Sequence, residues 1–343
     1  MKMKKILAAI TAAAMMVVGA TACSDGGAST TAAGDTTTAA GDTANTNTDS
    51  DKVYTIGICQ LVQHEALDAA TQGFKDALTE KLGDKVKFDE QNANGESTNC
   101  TTINTGFVAA GVDLILANAT GALQAAAAAT STIPILGTSV TDYATALSMD
   151  NWTGATGTNI SGTSDLAPID QQEKMLVEMF PEVKQVGIVY CSAEANSKYQ
   201  ATLFGDALKA DGITFKEYSA ADTNEISTVV STAVTECDVL YIPTDNTMAS
   251  STETIKNIVV PAGIPVIAGE EGICKGCGVA TLSISYYDLG YTTGQMAYEV
   301  LVEGADVSTM DVRFAPNVTK KYNASICEEL GVTAPEGYEA IAE

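Results

Sequence analysis

Apolar and polar positions beyond residue 52 alternate between short β-rich runs and longer stretches with helical spacing. In the first half, strand-like runs cover 54–59, 86–90, 113–117 and 133–136, and helical periods cover 67–78, 97–110 and a stretch from about 121. In the second half, strand-like runs cover 186–190, 213–218 and 238–242, and helical periods cover 199–207 and 226–233. Strands that alternate with helices are typical of βαβ units around a parallel sheet. The pattern predicts an α/β fold.

The two halves of this pattern also resemble each other. Asp113-Leu-Ile-Leu-Ala-Asn-Ala-Thr120 and Ile133-Pro-Ile-Leu136 correspond to Asp238-Val-Leu-Tyr-Ile-Pro-Thr-Asp245 and Ile264-Pro-Val-Ile267. Parallel strands collect their ligand-facing loops at their carboxyl ends, where helix N-termini offer free N–H groups. We therefore predict two Rossmann-like lobes with parallel sheets, joined by a hinge and facing each other across a cleft.

The first 52 residues follow a different pattern. Three lysines precede an apolar run that stops at Cys23, and residues 24–51 are almost wholly Thr, Ala, Gly, Ser, Asp and Asn. We interpret residues 1–22 as a signal peptide, Cys23 as a lipidated first residue, and 23–52 as a flexible tether. This predicts an extracytoplasmic lipoprotein anchored to the cell membrane. Plain secretion and an uncleaved anchor are the alternatives.

The charge of the chain excludes several classes of function. Lys and Arg number 18 against 43 Asp and Glu, for a formal net charge of -25. Arg313 is the sole arginine and His64 the sole histidine. Nucleic-acid binding needs clustered cations, and a multi-histidine metal site needs more than one histidine. We also find no nucleophile elbow, phosphate-binding loop, dinucleotide fingerprint or zinc-protease motif, so we predict a protein that is not an enzyme and uses no cofactor.

Several polar segments, taken together, resemble a known family. They are Gln60-Leu-Val-Gln-His-Glu-Ala-Leu-Asp68, Thr138-Ser-Val-Thr-Asp142, Gly162-Thr-Ser-Asp165, Glu194-Ala-Asn-Ser197, Pro243-Thr-Asp-Asn-Thr247, Gly269-Glu-Glu271 and Tyr286-Tyr-Asp-Leu-Gly290. On these segments the chain resembles the type I solute-binding proteins of bacterial ABC importers, in the subgroup associated with tryptophan, tyrosine or phenylalanine.

The resemblance implies an organisation and a partner. Two lobes would be joined by three crossovers, with lobe one over 53–162 plus 286–311, lobe two over 163–285 plus 312–334, and a tail over 335–343. The protein would be a monomer that captures a small solute by hinge closure and delivers it to a membrane permease. A sugar, a nucleoside or another small solute is the alternative to an amino acid.

Candidate ligand-binding residues follow the predicted strands. An amino acid needs N–H and hydroxyl donors for its carboxylate and an acid for its ammonium group. With one arginine in the chain, we expect donors from Thr120, Ser139, Asn196, Ser197 and Thr247 instead of an arginine clamp. Asp245 or Glu194 is the expected ammonium acceptor, although either acid can equally cap a helix. His64 and Gln60 are expected to shape the pocket, unless His64 merely packs, and the remaining candidates are Asn246 and Glu270.

The acids and thiols near residue 270 allow several interpretations. For Glu270 and Glu271 we favour solvated or hinge carboxylates over acid–base chemistry. Cys274-Lys-Gly-Cys277 lies among glycines, so we predict a small loop disulfide, with free thiols and a redox or metal role as alternatives. Without Cys23, seven cysteines remain, so at least one is expected to be unpaired.

Overall fold

The computed structural model describes residues 52–315 and 317–342. The predicted signal peptide and lipid anchor, and the tether up to Asp51, lie outside the described residues. Among those that are described, no helix is long and apolar enough to cross a membrane.

The first lobe is built on a six-stranded parallel sheet in the order β11-β5-β4-β3-β1-β2. Its strands alternate with helices, as predicted. The first nine elements are β1 (Tyr54–Gln60), α1 (Glu65–Leu82), β2 (Val86–Asn92), α2 (Ser97–Ala110), β3 (Leu114–Asn118), α3 (Thr120–Ala129), β4 (Ile135–Val140), α4 (Tyr143–Leu147) and β5 (Ile160–Ser164).

The second lobe repeats the plan with a seven-stranded sheet in the order β13-β12-β10-β9-β8-β6-β7. All its pairings are parallel except that of β10 with β12. Its first elements are α5 (Ile169–Met179), β6 (Gln185–Cys191), α6 (Ala195–Ala210), β7 (Thr214–Ala220), α7 (Ile226–Ala233), β8 (Val239–Ile242), α8 (Asn246–Ala249), α9 (Thr252–Ala262), β9 (Val266–Ala268), α10 (Glu271–Cys277) and β10 (Ala280–Ser283).

The chain then returns to lobe one and ends in lobe two. The elements of this last part are α11 (Tyr286–Leu301), β11 (Arg313–Phe314), β12 (Thr319–Tyr322), α12 (Ala324–Leu330) and β13 (Glu339–Ala340). The expected boundaries at 162 and 311 need correction, because β5 continues to Ser164 and β11 pairs with β5. The segment expected as a tail carries β13, which pairs with β12 in the lobe-two sheet.

Helices α1 and α11 pack closely on the lobe-one sheet. The apolar period of α1 is buried at Leu67, Ala70, Phe74 and Leu78, and burial of each large apolar side chain stabilises the fold by about 1.5–3 kcal/mol. A Cβ added to Gly290 of α11 would overlap the carbonyl of Ala70. The two helix backbones are therefore in direct contact, which positions Tyr286 at the start of α11 against the cleft.

Candidate functional site

The carboxyl ends of both sheets face a cleft, and most of the predicted residues line two cavities within it, called here the inner cavity and the outer chamber. The inner cavity has a volume of about 10 Å³, and of the predicted residues it is lined by His64, Ser139, Asn196, Asp245, Asn246 and Glu270. The outer chamber has a volume of about 730 Å³, and of the predicted residues it is lined by Thr120, Glu194, Asn196, Asn246 and Thr247. Nine of the eleven candidates thus lie along one cleft. Gln60 and Ser197 line neither cavity.

Two hydroxyl groups in the lobe-one wall have no hydrogen-bond partner. Ser139 lines the inner cavity and Thr120 lines the outer chamber, and both hydroxyl oxygens are buried without a partner among the described residues. They are neighbours because β3 pairs with β4 and Ala119 N–H donates to the Thr138 carbonyl at 3.0 Å. Ala119 and Ser139 also have positive φ values of 93° and 55°. Strain of this kind at non-glycine residues clusters at functional sites, which makes this wall a candidate for ligand contact.

Asp165 is a residue that the sequence analysis did not select. It follows β5 directly, is 3% exposed and lines the inner cavity. Its Oδ2 accepts a 3.0 Å hydrogen bond from the Tyr286 hydroxyl, whereas its Oδ1 has no partner among the described residues. Burial raises the pKa of Asp165. A buried carboxylate oxygen without a donor is costly, so Asp165 Oδ1 is a candidate acceptor for a donor that enters the cavity.

The other acids of the cleft are held by backbone N–H groups. Asp245 caps α8, with Oδ1 accepting from Met248 N–H at 2.9 Å and Oδ2 from Cys191 N–H at 2.6 Å. Both oxygens of Glu270 cap α10, so Glu270 is buried and not a solvated carboxylate. Asp245 therefore acts as a helix cap, which was the alternative to its expected role as the ammonium acceptor. It also lines the inner cavity.

Glu194 also has its oxygens occupied by the start of α8. It accepts hydrogen bonds from the backbone N–H groups of Asn246 and Thr247 at 3.1 and 2.8 Å, and from both of their side chains. These contacts hold the loop before α6 against α8 within lobe two. Of the acids that line the cleft, Asp165 is the one with a buried oxygen left unpartnered.

Two of these acids should make stability depend on pH. Burial, followed by the charge of Glu194, raises the pKa of Asp245 to about 8, and burial raises that of Glu270 to about 7. Both bind a proton more tightly in the folded chain than in the unfolded chain. The free energy of unfolding should therefore fall as pH rises from about 4 to 8, by up to roughly 1.4 kcal/mol per pH unit for each acid.

Thermal melts between pH 5 and 8 test this expectation. The melting temperature should be highest near pH 5, and Glu270→Gln should flatten the decline below pH 7. Glu271→Gln is the matched control, since Glu271 is a partly exposed neighbour paired with Lys321 at 2.6 Å. A melting temperature that rises over this range would contradict the assignment.

Side-chain contacts between described residues join the lobes across the cleft. His64 Nε2 lies 3.2 Å from Asn246 Oδ1, Gln200 Nε2 lies 3.4 Å from Thr141 Oγ1, and Lys275 Nζ lies 3.5 Å from Glu65 Oε1. Burial lowers the pKa of His64, which favours the neutral ring. The pair of His64 and Asn246 lies at the inner cavity, and Asn246 also lines the outer chamber.

Gln60 and Ser197 are buried next to residues of the site but do not line either cavity. Gln60 donates to Asp68 Oδ1 at 2.6 Å and accepts from the Thr71 hydroxyl at 2.7 Å, so its side chain is used within lobe one. Ser197 is fully buried and accepts from Asn196 Nδ2 at 3.2 Å. The expectation that Gln60 shapes the pocket does not match this placement.

The predicted loop disulfide between Cys274 and Cys277 is wrong. Both residues lie in α10, both are buried, and neither is bonded to another cysteine. Glu270 starts this helix by accepting from Gly272 and Ile273 N–H at 2.6 and 2.5 Å, which outweighs the glycines that suggested a loop. Burial raises the pKa of Cys274 and of Cys277, so their thiolates are disfavoured.

Thiol titration tests the burial of the cysteines. All seven cysteines among the described residues are buried and free. In Cys23→Ser protein, we expect less than about one thiol to react with a bulky disulfide reagent under native conditions, and all seven in guanidinium, because a bulky reagent cannot reach a buried thiol. If only five thiols react in guanidinium and a reductant restores the other two, the protein contains a disulfide.

The single arginine has a structural role. Arg313 donates to both oxygens of Glu299 at 3.0 and 2.7 Å, which ties β11 to α11 within lobe one. Among the residues that the structure describes, neither of these two cavities of the cleft has a lysine or arginine in its lining. Recognition of a ligand carboxylate at these walls therefore depends on neutral donors.

Comparison with known proteins identifies the family. Residues 55–343 match the family described as ABC transporter substrate binding protein. The chain belongs to this family. It is a family of solute-binding proteins and not of enzymes, and the two-lobed α/β architecture is the type I periplasmic-binding fold.

Relatives within the family have assigned ligands. A tyrosine-binding protein of Clostridioides difficile is 37% identical over 314 residues, covering 91% of this chain and 88% of the relative. A Streptococcus pneumoniae domain in complex with L-Trp is 31% identical, with a TM-score of 0.81 over 84% of this chain and 100% of that one. Binding of a small solute is thus a property shared across the family.

A third structure of the family is similar to a smaller extent. The ligand-free, open structure of a Clostridium difficile substrate-binding protein with adhesive properties is 36% identical over 84% of this chain and 99% of that one. Its TM-score of 0.64 is lower than that of the L-Trp complex, despite the higher identity. This structure is therefore more similar overall to the L-Trp complex than to the ligand-free, open structure.

Proposed function

We propose that this protein is the extracytoplasmic receptor of an ABC importer for aromatic amino acids, with tyrosine and tryptophan as the first candidates. The observation that carries the proposal is the unpaired Asp165 Oδ1, which faces the same buried cavity as the unpaired Ser139 Oγ. An acceptor and a hydroxyl donor at one cavity fit the ammonium and carboxylate groups of an amino acid. The tyrosine-binding relative and the L-Trp complex support the aromatic side chain.

Capture requires movement of the lobes. The inner cavity of about 10 Å³ has room for about one water molecule, far less than an amino acid fills. His64 and Asn246 separate when the lobes part, and their hydrogen bond forms again on closure. The ligand enters the open cleft, the second lobe closes over it, and the closed form docks on the permease.

The lipid anchor at Cys23 belongs to the same proposal. The tether over 24–51 would keep the receptor near the permease and raise its effective concentration there. Labelling with a radioactive fatty acid should mark the wild-type protein and not Cys23→Ser, which should also leave the membrane fraction. Equal labelling of both proteins would place the lipid elsewhere or exclude it.

A ligand panel tests the receptor function. Calorimetry and thermal shift are run on Cys23→Ser protein with the twenty amino acids, nucleosides and common sugars. We expect tyrosine or tryptophan to raise the melting temperature most, as a ligand at a thousand times its Kd stabilises the fold by about 4 kcal/mol. Stabilisation by a sugar or nucleoside alone would overturn the aromatic amino-acid assignment.

A further inference from the structure

We propose that the cleft also binds aromatic monoamines, which share the ammonium group and ring of an aromatic amino acid but lack its carboxylate. The inference rests on the proposed function and extends its ligand class. It is based on a difference between the two sides of the site: a charged acceptor faces the ammonium group, whereas neutral donors face the carboxylate.

The ammonium side is formed by buried acids. Asp165 is 3% exposed and has an unpaired Oδ1, and Asp245 and Glu270 line the same cavity. The lysines near this part of the cleft are already paired, Lys275 with Glu65 and Lys321 with Glu271. A ligand cation is therefore the natural partner of Asp165, and an ionised acid buried without one is strongly disfavoured.

The residues expected to bind the ligand carboxylate carry no charge. Ser139 Oγ and Thr120 Oγ1 are neutral hydroxyls, and Thr120 opens the ten-residue helix α3. When a ligand has no carboxylate, a water molecule can accept from these hydroxyls in its place. The loss of the carboxylate thus costs a few hydrogen bonds from neutral donors that water can take over, whereas loss of the ammonium group leaves Asp165 unpaired and opposite a like charge.

The charge of the whole chain acts in the same direction. With a formal net charge of -25, the protein attracts a cationic amine more than a neutral zwitterion and repels an anionic acid. Part of the amine's affinity should therefore fall as salt is added, since exposed charges are screened. The contribution from buried Asp165 should remain.

Three probes with one ring separate these contributions: L-tyrosine, tyramine and 3-(4-hydroxyphenyl)propionate, with the L-tryptophan, tryptamine and indole-3-propionate series in parallel. Calorimetry on Cys23→Ser protein at pH 7 should give a Kd for the amine within about 30-fold of that for the amino acid, since the hydrogen bonds that are lost come from neutral donors that water can satisfy instead. The deaminated acid should bind at least ~100-fold more weakly than the amino acid, because a buried charge is left unpaired.

The outcomes separate the two proposals. If the amino acid binds and the amine is weaker than the deaminated acid, the amine inference is wrong while the receptor function stands. If neither amino acid nor amine binds in either series, the aromatic receptor function fails. Amine binding without amino-acid binding would overturn the amino-acid assignment and keep Asp165 as a cation site.

Ser139→Ala adds a test within the protein. It should weaken the amino acid more than the amine, by about 5- to 10-fold in the ratio of their Kd values, because one hydroxyl donor to the carboxylate is lost. Ser231→Ala is the matched control, since Ser231 is exposed on α7 of lobe two. An equal effect on both ligands would contradict a carboxylate role for Ser139.

Discussion

Asp165→Asn is expected to weaken the binding of L-tyrosine or L-tryptophan about 100-fold, roughly 2–3 kcal/mol, when measured by calorimetry at pH 7. The amide keeps the shape of the side chain and can still accept from the Tyr286 hydroxyl, which lies 3.0 Å from Asp165 Oδ2. It removes the charge that faces a ligand ammonium group. Because the amide is nearly isosteric, the loss should appear in affinity and not in folding.

The matched control is Asp170→Asn, five residues further along the chain. Asp170 is exposed at the start of α5 and pairs with Lys174 at 3.1 Å, a contact worth little on a surface. The control should bind as the wild type does. If Asp165→Asn also binds within about threefold of the wild type, a change under 1 kcal/mol, Asp165 is not the ammonium acceptor.

The pH dependence of binding gives a second readout for Asp165. A ligand ammonium group needs the ionised carboxylate, so binding of the wild type should weaken as pH falls through the raised pKa of Asp165 in the free protein. The amide variant has no such proton to displace. Its remaining affinity should change less with pH than that of the wild type, because Asp245 and Glu270, which line the same cavity, still titrate.

The sequence predicts most strands of the fold because their apolar runs are continuous. Strands β1, β3, β6 and β8 are almost entirely buried, and buried parallel strands consist of such runs. Their order along the chain also predicts the two lobes. The bounds differ from those predicted by one or two residues at most ends.

Strand β5 could not be predicted in this way. Because the prediction missed this strand, it placed the first crossover too early in the chain. Its sequence, Ile160-Ser-Gly-Thr-Ser164, is mostly polar, yet all five residues are buried. The hydroxyls are satisfied by distant partners, with Ser161 donating to the Met310 carbonyl at 2.8 Å and Thr163 within 2.8 Å of the Thr293 hydroxyl. Hydropathy along the chain contains no information about such partners.

The same limit applies to the choice of site residues. Asp165, Asp245 and Glu270 each follow a strand and precede a helix, so their sequence contexts are alike. The difference is where the oxygens point: those of Asp245 and Glu270 meet backbone N–H groups, while Asp165 Oδ1 meets none. An acid after each strand could be selected from the sequence, but the one left free for a ligand could not.

Gly290→Ala is expected to be strongly destabilising, with a cost of about 3 kcal/mol. A methyl group at this position would overlap the Ala70 carbonyl, which is backbone and cannot rotate away, so α11 must move off α1. Overpacking a buried helix contact typically costs about 1–3 kcal/mol, and backbone overlap lies at the upper end. Because α11 begins at Tyr286, which holds Asp165, ligand binding should weaken as well.

Gly106→Ala, also a glycine-to-alanine change in a helix, is expected to stabilise the protein. Gly106 is exposed in α2, and a Cβ there would meet no atom within 4 Å. Alanine is favoured over glycine in a helix, so this variant should gain about 0.5–1 kcal/mol. Urea unfolding of both variants measures the two signs directly. A Gly290→Ala protein as stable as the wild type would mean that the α1 and α11 backbones are not in contact in solution.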